Sequence, residues 1–231
     1  MYWDSTGDWR LTFYSELPNK NKADLSVIEK AELEQDVLEK KLTISLLDDN
    51  SFHSFLDIGC GVGRQILEFA EKYKSINFWG IDISEYQIKL LNSIIKKDEI
   101  ENVFAICEDA GNITWKKNFD FITFYNNSFG CMNYTQQVNC LSFINTYLNK
   151  GGILLISCFE RLDLIEEAYN EWGFSSVSID YSRGVVDLGS YCSNWNTKNI
   201  FLPFFEKNRN FCLKDVKNVG LGAIYIFGKE K

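Results

Sequence analysis

Polar and apolar positions change period several times along the chain. Ser26-Val27-Ile28-Glu29 has the capping-box pattern, and behind it Ile28, Ala31, Leu38 and Leu42 recur at helical spacing. The spacing predicts a helix ending near Leu47, with Asp48-Asp49-Asn50 as a turn. From residue 54 the pattern shortens. Apolar runs at 54–58, 77–83, 103–108, 119–124 and 153–158 read as buried strands. Between them 64–73, 84–97 and 136–148 read as helices, the second opened by Ser84 as N-cap. Asn149-Lys150-Gly151-Gly152 reads as a turn. Short strands alternating with longer helices predict an α/β fold, a parallel sheet with helices on both faces.

The last third is less regular. A helix is expected over 162–172, a β-branched run over 175–180 and a final strand over 223–228. The stretch 184–210 has weak periodicity and many Asn and aromatic residues. Either 175–180 or 211–216 supplies the sixth strand. In the first case residues 184–215 form an insertion that can act as a lid over a substrate pocket. No linker divides the chain, so residues 1–231 read as a single domain. It has a helical cap over 1–50, a ligand-binding core over 51–160 and a C-terminal part over 161–231.

The candidate chemistry begins at Gly59-Cys60-Gly61-Val62-Gly63, directly after the first strand. Glycines at a strand-to-helix turn permit positive φ and let the backbone approach a ligand. A tight turn without a ligand also fits. The dinucleotide pattern GxGxxG needs its last glycine one place later, where this chain has Arg64, so a pyrophosphate cradle is disfavoured. Asp82 ends the second strand, placed either to accept two ribose hydroxyls or to cap the next helix. Asp109 follows the third strand. It is placed either to accept an adenine amino proton, beside the Ala110 amide, or to cap its own turn. All three features lie at strand C-termini, where an open α/β sheet has its ligand crevice.

Taken in order, LDIGCGVGRQ, GIDIS, CEDAGNI, FDFITFYNNSFG and YLNKGGILLIS resemble the class I S-adenosylmethionine-dependent methyltransferases over residues 55–160. ELEQDVLEKKL and NNSFGCM resemble members acting on small molecules, among them amino-sugar N-methyltransferases and natural-product enzymes. The resemblance implies a Rossmann-like, seven-stranded, mostly parallel sheet with an antiparallel last strand and an N-terminal helical lid. It implies S-adenosyl-L-methionine as cofactor. Asp57 would steady the loop and approach the methionine end, while Gly59, Cys60 (through its backbone), Gly61 and Gly63 admit the cofactor. Asp82 would bind the ribose and Ile83 pack on adenine. Asp109 and Ala110 would read the adenine edge, and Tyr125 and Asn126 face the amino group and the methyl. Arg64 fits either the cofactor carboxylate or a solvated helix face.

Methyl transfer is an in-line displacement in which alignment supplies much of the rate. No clear general base is present. The one histidine, His53, starts the first strand at the far end of the sheet from the crevice. Tyr14 is the candidate catalytic side chain, with Trp9 beside it as a closing aromatic; a core role for both fits equally. Cys131 and Cys140 read as packing residues. No metal is expected, because Asp120 lies at the wrong strand end and NNSFG carries no carboxylate.

Composition narrows the partners. Seven cysteines, odd in number and without CxxC, read as reduced thiols in a cytoplasmic protein. The formal charge of −8 disfavours a nucleic-acid footprint. The chain has no run of about 18 apolar residues that would span a membrane, nor a basic-then-apolar leader at its start. The 231 residues include 45% hydrophobic residues, enough for a core. Charge is uneven. Residues 24–49 hold eight acids and three lysines, read as a solvated face; residues 198–231 hold seven basic and three acidic groups. Six aromatics fall within 191–211, where substrate choice is expected to reside. The expected activity is methyl transfer to N or O of a small molecule. The alternatives are a cofactor-binding module without turnover, a methyltransferase acting on protein or RNA, and a nicotinamide enzyme on a related sheet.

Overall fold

The computed structural model describes residues 20–21, 23–49, 51–174, 177–189 and 192–230. Tyr14 and Trp9 lie outside the described residues. Helix α1 spans Val27–Asp48, with the Ser26/Glu29 capping box formed in both directions. It is followed by β1 (Ser54–Ile58), α2 (Arg64–Lys72), β2 (Asn77–Asp82), α3 (Glu85–Lys97) and β3 (Val103–Cys107). Then come β4 (Phe119–Phe124), α4 (Tyr134–Tyr147), β5 (Leu148–Phe159), α5 (Ile165–Glu171) and three short strands, β6 (Ser178–Asp180), β7 (Val185–Asp187) and β8 (Cys192–Asn194). Helix α6 (Lys198–Lys207), β9 (Phe211–Val219) and β10 (Gly222–Lys229) complete the described chain.

The main sheet has seven strands in the order β3-β2-β1-β4-β5-β10-β9. Strands β1 to β5 pair in parallel, and β10 runs antiparallel to both β5 and β9. The order reverses at β1, so the crevice of a doubly wound sheet opens between β2, β1 and β4. Alternate side chains of the central strands supply two cores. Leu56, Ile122 and Ile156 face α4 and α6 on one side. Phe55, Phe78 and Phe121 pack on Phe69 and Leu91 on the other. The Phe55 ring lies 5.0 Å from Phe121 and 5.1 Å from Phe78.

Three expectations change here. The 211–216 run is the sixth strand, extended to Val219, whereas 178–180 belongs to a separate antiparallel sheet in the order β6-β7-β8. The insertion therefore ends before β9 instead of taking in 211–215. Strand β5 begins at Leu148, and the Asn149–Gly152 turn is a register shift against β4, with Gly151 at φ 79°. Finally, the acids of α1 form a solvated face only in part, at Glu34 and Asp48. Glu32, Gln35, Asp36, Glu39 and Thr43 are all buried, spaced along one side of the helix.

Candidate active site

The cleft lies along the C-terminal ends of β1 to β5. Its floor is the glycine loop. Gly59, Gly61 and Gly63 have φ of 78°, 56° and 76°, a region that favours glycine. A Cβ on Gly59 would sit 2.6 Å from the Ser128 Cβ, and one on Gly61 would sit 2.6 Å from the Gln87 Oε1. The amides of Gly59 and Cys60 both donate to the Ile81 carbonyl (2.8 and 3.0 Å), which ties the loop to β2. Ser128 Oγ donates to the Ile58 carbonyl (2.9 Å) and backs the loop from the other side. Gly63 departs from its expected place. It does not line the cleft; a Cβ there would meet Leu91 of α3 at 2.5 Å, so this glycine serves helix packing.

Asp82 is not the cap of α3, a place taken by Ser84; it closes the turn before that cap and faces the cleft. Its Oδ2 accepts from Gly61 N and its Oδ1 from Ser84 N, each at 2.9 Å. These bonds fix the carboxylate at the edge of the cleft. Asp109 behaves alike. Its Oδ1 accepts from Gly111 N (2.8 Å), and Gln136 Nε2 lies 3.0 Å from both oxygens. Ala110 and the exposed Ile83 complete this end of the cleft.

Asp57 is buried at the base of the cleft, accepting from Thr123 Oγ1 at 3.1 Å. Burial pushes its carboxyl up to about 8, with the Thr123 bond opposing and Glu39 and Asp82 adding to the rise. Glu39, from α1, is buried beside it and is also raised, chiefly by burial. Its Oε1 accepts from Asn126 N and its Oε2 from Gln65 Nε2, both at 3.0 Å. Arg64 is half-buried, not a solvated helix residue. Its guanidinium donates to Asp36 of α1 at 2.5 Å, while the residue still borders the cleft. Burial raises the Cys60 thiol as well, and that side chain packs toward Gly80. Helix α1 is thus clamped onto the site through buried polar contacts.

Asn126 and Asn127, just past β4, both have positive φ (47° and 60°). Two such residues in succession are costly outside glycine and concentrate at functional sites. Tyr125 borders the cleft, but its hydroxyl is turned to Thr43 of α1 at 2.7 Å, and burial holds the phenol well above its ordinary value. Cys140 is a core residue, whereas Cys131 borders the cleft instead of packing. His53 is exposed and remote from this region. Among the described residues no three His, Cys, Asp or Glu side chains group as metal ligands.

Sequence reasoning missed Gln65, Gln87, Glu108, Ser128 and Gln136, and also the far wall of Tyr169, Trp172, Phe174 and Ser193. Gln65 follows the glycine loop closely enough to have been a candidate. The far wall had one local cue, the i, i+3 aromatic pair Tyr169/Trp172 at the end of α5.

Residues 49–209 match the methyltransferase-domain family, and the chain belongs to it. Malonyl-[acyl-carrier protein] O-methyltransferase 2 of Ilyobacter polytropus is 29% identical over 195 residues, which is 79% of this chain and 70% of that protein. An uncharacterised Rickettsia prowazekii protein is 33% identical over 109 residues; the match takes in 44% of this chain and 41% of that protein's length. The crystal structure of an S-adenosylmethionine-dependent methyltransferase from Clostridium acetobutylicum has a TM-score of 0.66 at 13% identity, covering 97% of this chain and 99% of that one. The chain is an S-adenosylmethionine-dependent methyltransferase of the class I fold.

The residues present fit that cofactor. Its sulfonium and ammonium are cations, and two buried carboxyl groups, Asp57 and Glu39, lie at the base of the cleft or against it. The buried Gln65 Oε1 has no hydrogen-bond partner among the described residues, an acceptor awaiting a donor.

Proposed function

We propose that this enzyme transfers a methyl group to a nitrogen or oxygen of a small molecule by in-line displacement. The observation that carries the reading is one continuous cleft. It runs from the Asp82/Asp109 end, past Asp57, to the neutral wall of Tyr169, Trp172 and Phe174. A walled cleft suits a small acceptor better than a duplex or an extended polypeptide.

S-adenosylmethionine, when bound, supplies an electrophilic methyl on a sulfonium. Everything else falls to this chain. Asp82, oriented by Gly61 N and Ser84 N, accepts from the ribose hydroxyls. Ile83 covers one adenine face, and Asp109 with the Ala110 amide reads the ring edge. The glycine loop lets the backbone come close. Asp57 and Gln65 Oε1 accept from the ammonium, and Glu39 holds Gln65 and the Asn126 amide in place for it. Asn126 faces the transferring methyl, with Tyr125 behind it. An acceptor attacks from the side of the Tyr169/Trp172 wall.

No described helix is long and apolar enough to cross a membrane. All seven cysteines are free thiols, which supports a reducing, cytoplasmic setting. Two measurements test the function. Calorimetry with S-adenosylhomocysteine should show stoichiometric binding, and labelled cofactor should transfer its methyl to members of a panel of small amines and phenols. Absence of binding sinks the reading. Methylation of tRNA or protein alone, with no small acceptor modified, would replace it.

A further inference from the structure

The acceptor end of the cleft has a chemistry of its own. Phe159 lies at the tip of β5, Tyr169 on α5, and Trp172 and Phe174 just after that helix. The rings brace one another. Tyr169 meets Trp172 edge-on at 5.2 Å and Phe174 at 5.6 Å, and Phe159 lies 6.0 Å from Trp172. Behind them the fully buried Trp195 lies 4.8 Å from Phe159 and 6.1 Å from Tyr169. The wall is therefore ordered before any ligand arrives, so little side-chain freedom is lost on binding.

Charge separates this end from the other. Among the described residues the charged side chains that line the cleft are Asp57, Arg64, Asp82, Glu108 and Asp109, contributed by β1, β2, the turn after β3 and the start of α2. Among the described residues no Lys, Arg, Asp or Glu lines the aromatic end. The nearby Lys198 and Glu160 satisfy each other at 2.6 Å, and Glu160 also accepts from Tyr225 OH at 2.8 Å. A carboxylate or phosphate on the acceptor would lose its water there and gain no cation. A cationic acceptor would gain no carboxylate.

Beside the Tyr169 hydroxyl, which accepts from Trp195 Nε1 at 3.5 Å, two neutral polar groups stand in the wall. The Ser193 hydroxyl accepts from Asn127 Nδ2 at 3.3 Å, which leaves its own proton to donate. The Trp172 Nε1–H is buried and has no partner among the described residues.

We propose that the acceptor is an uncharged, flat aromatic molecule carrying a hydroxyl or amino group, stacked on the Tyr169/Trp172/Phe174 wall with its polar substituent directed to Ser193. This rests on the methyl-transfer reading above and deepens it. Aromatic rings prefer offset or edge-on partners at these spacings, and the wall offers both.

The test is calorimetry on protein saturated with S-adenosylhomocysteine, titrated in turn with 2-naphthol, cyclohexylammonium and malonate. The expected result is that 2-naphthol binds and the other two bind about tenfold more weakly or not at all. Trp172→Ala should weaken 2-naphthol by about tenfold while Trp172→Phe restores most of the loss. S-adenosylhomocysteine affinity should stay within about twofold in both variants, since the residue lies away from Asp82 and Asp109. Phe174→Leu, which keeps apolar volume and removes the ring, gives an independent reading should Trp172→Ala fail to fold. Tighter binding of cyclohexylammonium or malonate than of 2-naphthol overturns the proposal. So does unchanged 2-naphthol affinity in the variants. If S-adenosylhomocysteine itself does not bind, the methyl-transfer reading falls first and takes this proposal with it.

Discussion

The two ends of the cleft are built in different ways. The Asp82/Asp109 end takes its residues from consecutive βα units, Gly59 to Gly61, Asp82 to Ile83 and Asp109 to Ala110, each at a strand tip. The aromatic end takes Phe159 from the tip of β5 and draws Tyr169, Trp172, Phe174 and Ser193 from a helix, the residues just after it and a small second sheet, all inserted between β5 and β9. One end is charged and turn-built; the other is neutral and aromatic. Strand-end turns are dictated by local geometry, and a sheet aligns them whatever the rest of the chain does. A side wall assembled from an insertion depends on contacts across long sequence separations. Such a wall can change without altering the strand-end turns, which is how one fold can carry different sites.

The largest effect expected from breaking the charged end is Asp82→Ala. It removes the acceptor for Gly61 N and Ser84 N together with the group aimed at the ribose. Each hydrogen bond to a charged group is worth about 1.5–3 kcal/mol, so S-adenosylhomocysteine affinity should fall about 100-fold by calorimetry. Binding of 2-naphthol to the aromatic wall should be spared in direct titration without cofactor. A parallel loss at both ends would show that the two halves are one cooperative unit.

Gly59→Ala comes next, and reads stability as well as binding. The residue sits at φ 78°, where a side chain costs about 1–2 kcal/mol, and its Cβ would come 2.6 Å from the Ser128 Cβ. Overpacking adds about 1–3 kcal/mol. Denaturant titration should show a loss of about 2 kcal/mol or more. Gly189→Ala is the control: φ is 77° there too, but a Cβ meets nothing within 4 Å, so only the backbone cost applies.

These positions also show what a single sequence discloses. Strands β1 to β4, the helices between them and the acids at the tips of β2 and β3 follow from apolar runs and turn residues, because each is decided within a few positions. Helix α1 was legible as a helix, and one side of it was misjudged as surface. Glu32, Asp36 and Glu39 have the spacing of a solvated acidic face, and nothing local distinguishes it from a buried one. Asp36 and Glu39 meet Arg64, Gln65 and the Asn126 amide, 26 to 87 residues away. The sixth strand was ambiguous for a related reason. The β-branched run at 178–180 and the mixed run at 211–219 both suit strands, and only pairing with β10 selects the second.

Asp57 offers a smaller, pH-dependent prediction. Burial raises its carboxyl from 3.8 to about 8, so the folded protein binds this proton more tightly than the unfolded chain. The contribution is fully present at low pH and is lost as pH rises from about 4 to about 8. Glu39, raised in the same direction, adds to that slope. In cofactor-free protein, urea midpoints should therefore fall across this window after other groups are accounted for by difference. Asp57→Asn should fall less steeply, and the gap between the two curves isolates the residue. Equal slopes would show that the base of the cleft is wetter than its burial implies, and would weaken the contrast between its ends.

The smallest effect belongs to His53, and it sharpens the comparison by being absent. It is the chain's one histidine and the obvious general base to anyone reading composition alone. Its side chain is exposed, and its backbone amide donates to Asp120 Oδ2 at 2.9 Å, beside the Ser54 amide, at the N-terminal end of β1. The cleft lies beyond the opposite end of that strand. A proton taken from an acceptor at Asn126 has no route to it within hydrogen-bond reach. His53→Gln keeps the amide and its bond, so stability should change by no more than about 0.5 kcal/mol. The kcat/KM of the acceptor identified by the panel, and its pH profile, should match the parent protein. A tenfold fall in kcat with S-adenosylhomocysteine affinity intact would place a working group at the wrong end of the sheet, and the division between a cofactor end and an acceptor end would no longer describe the whole reaction.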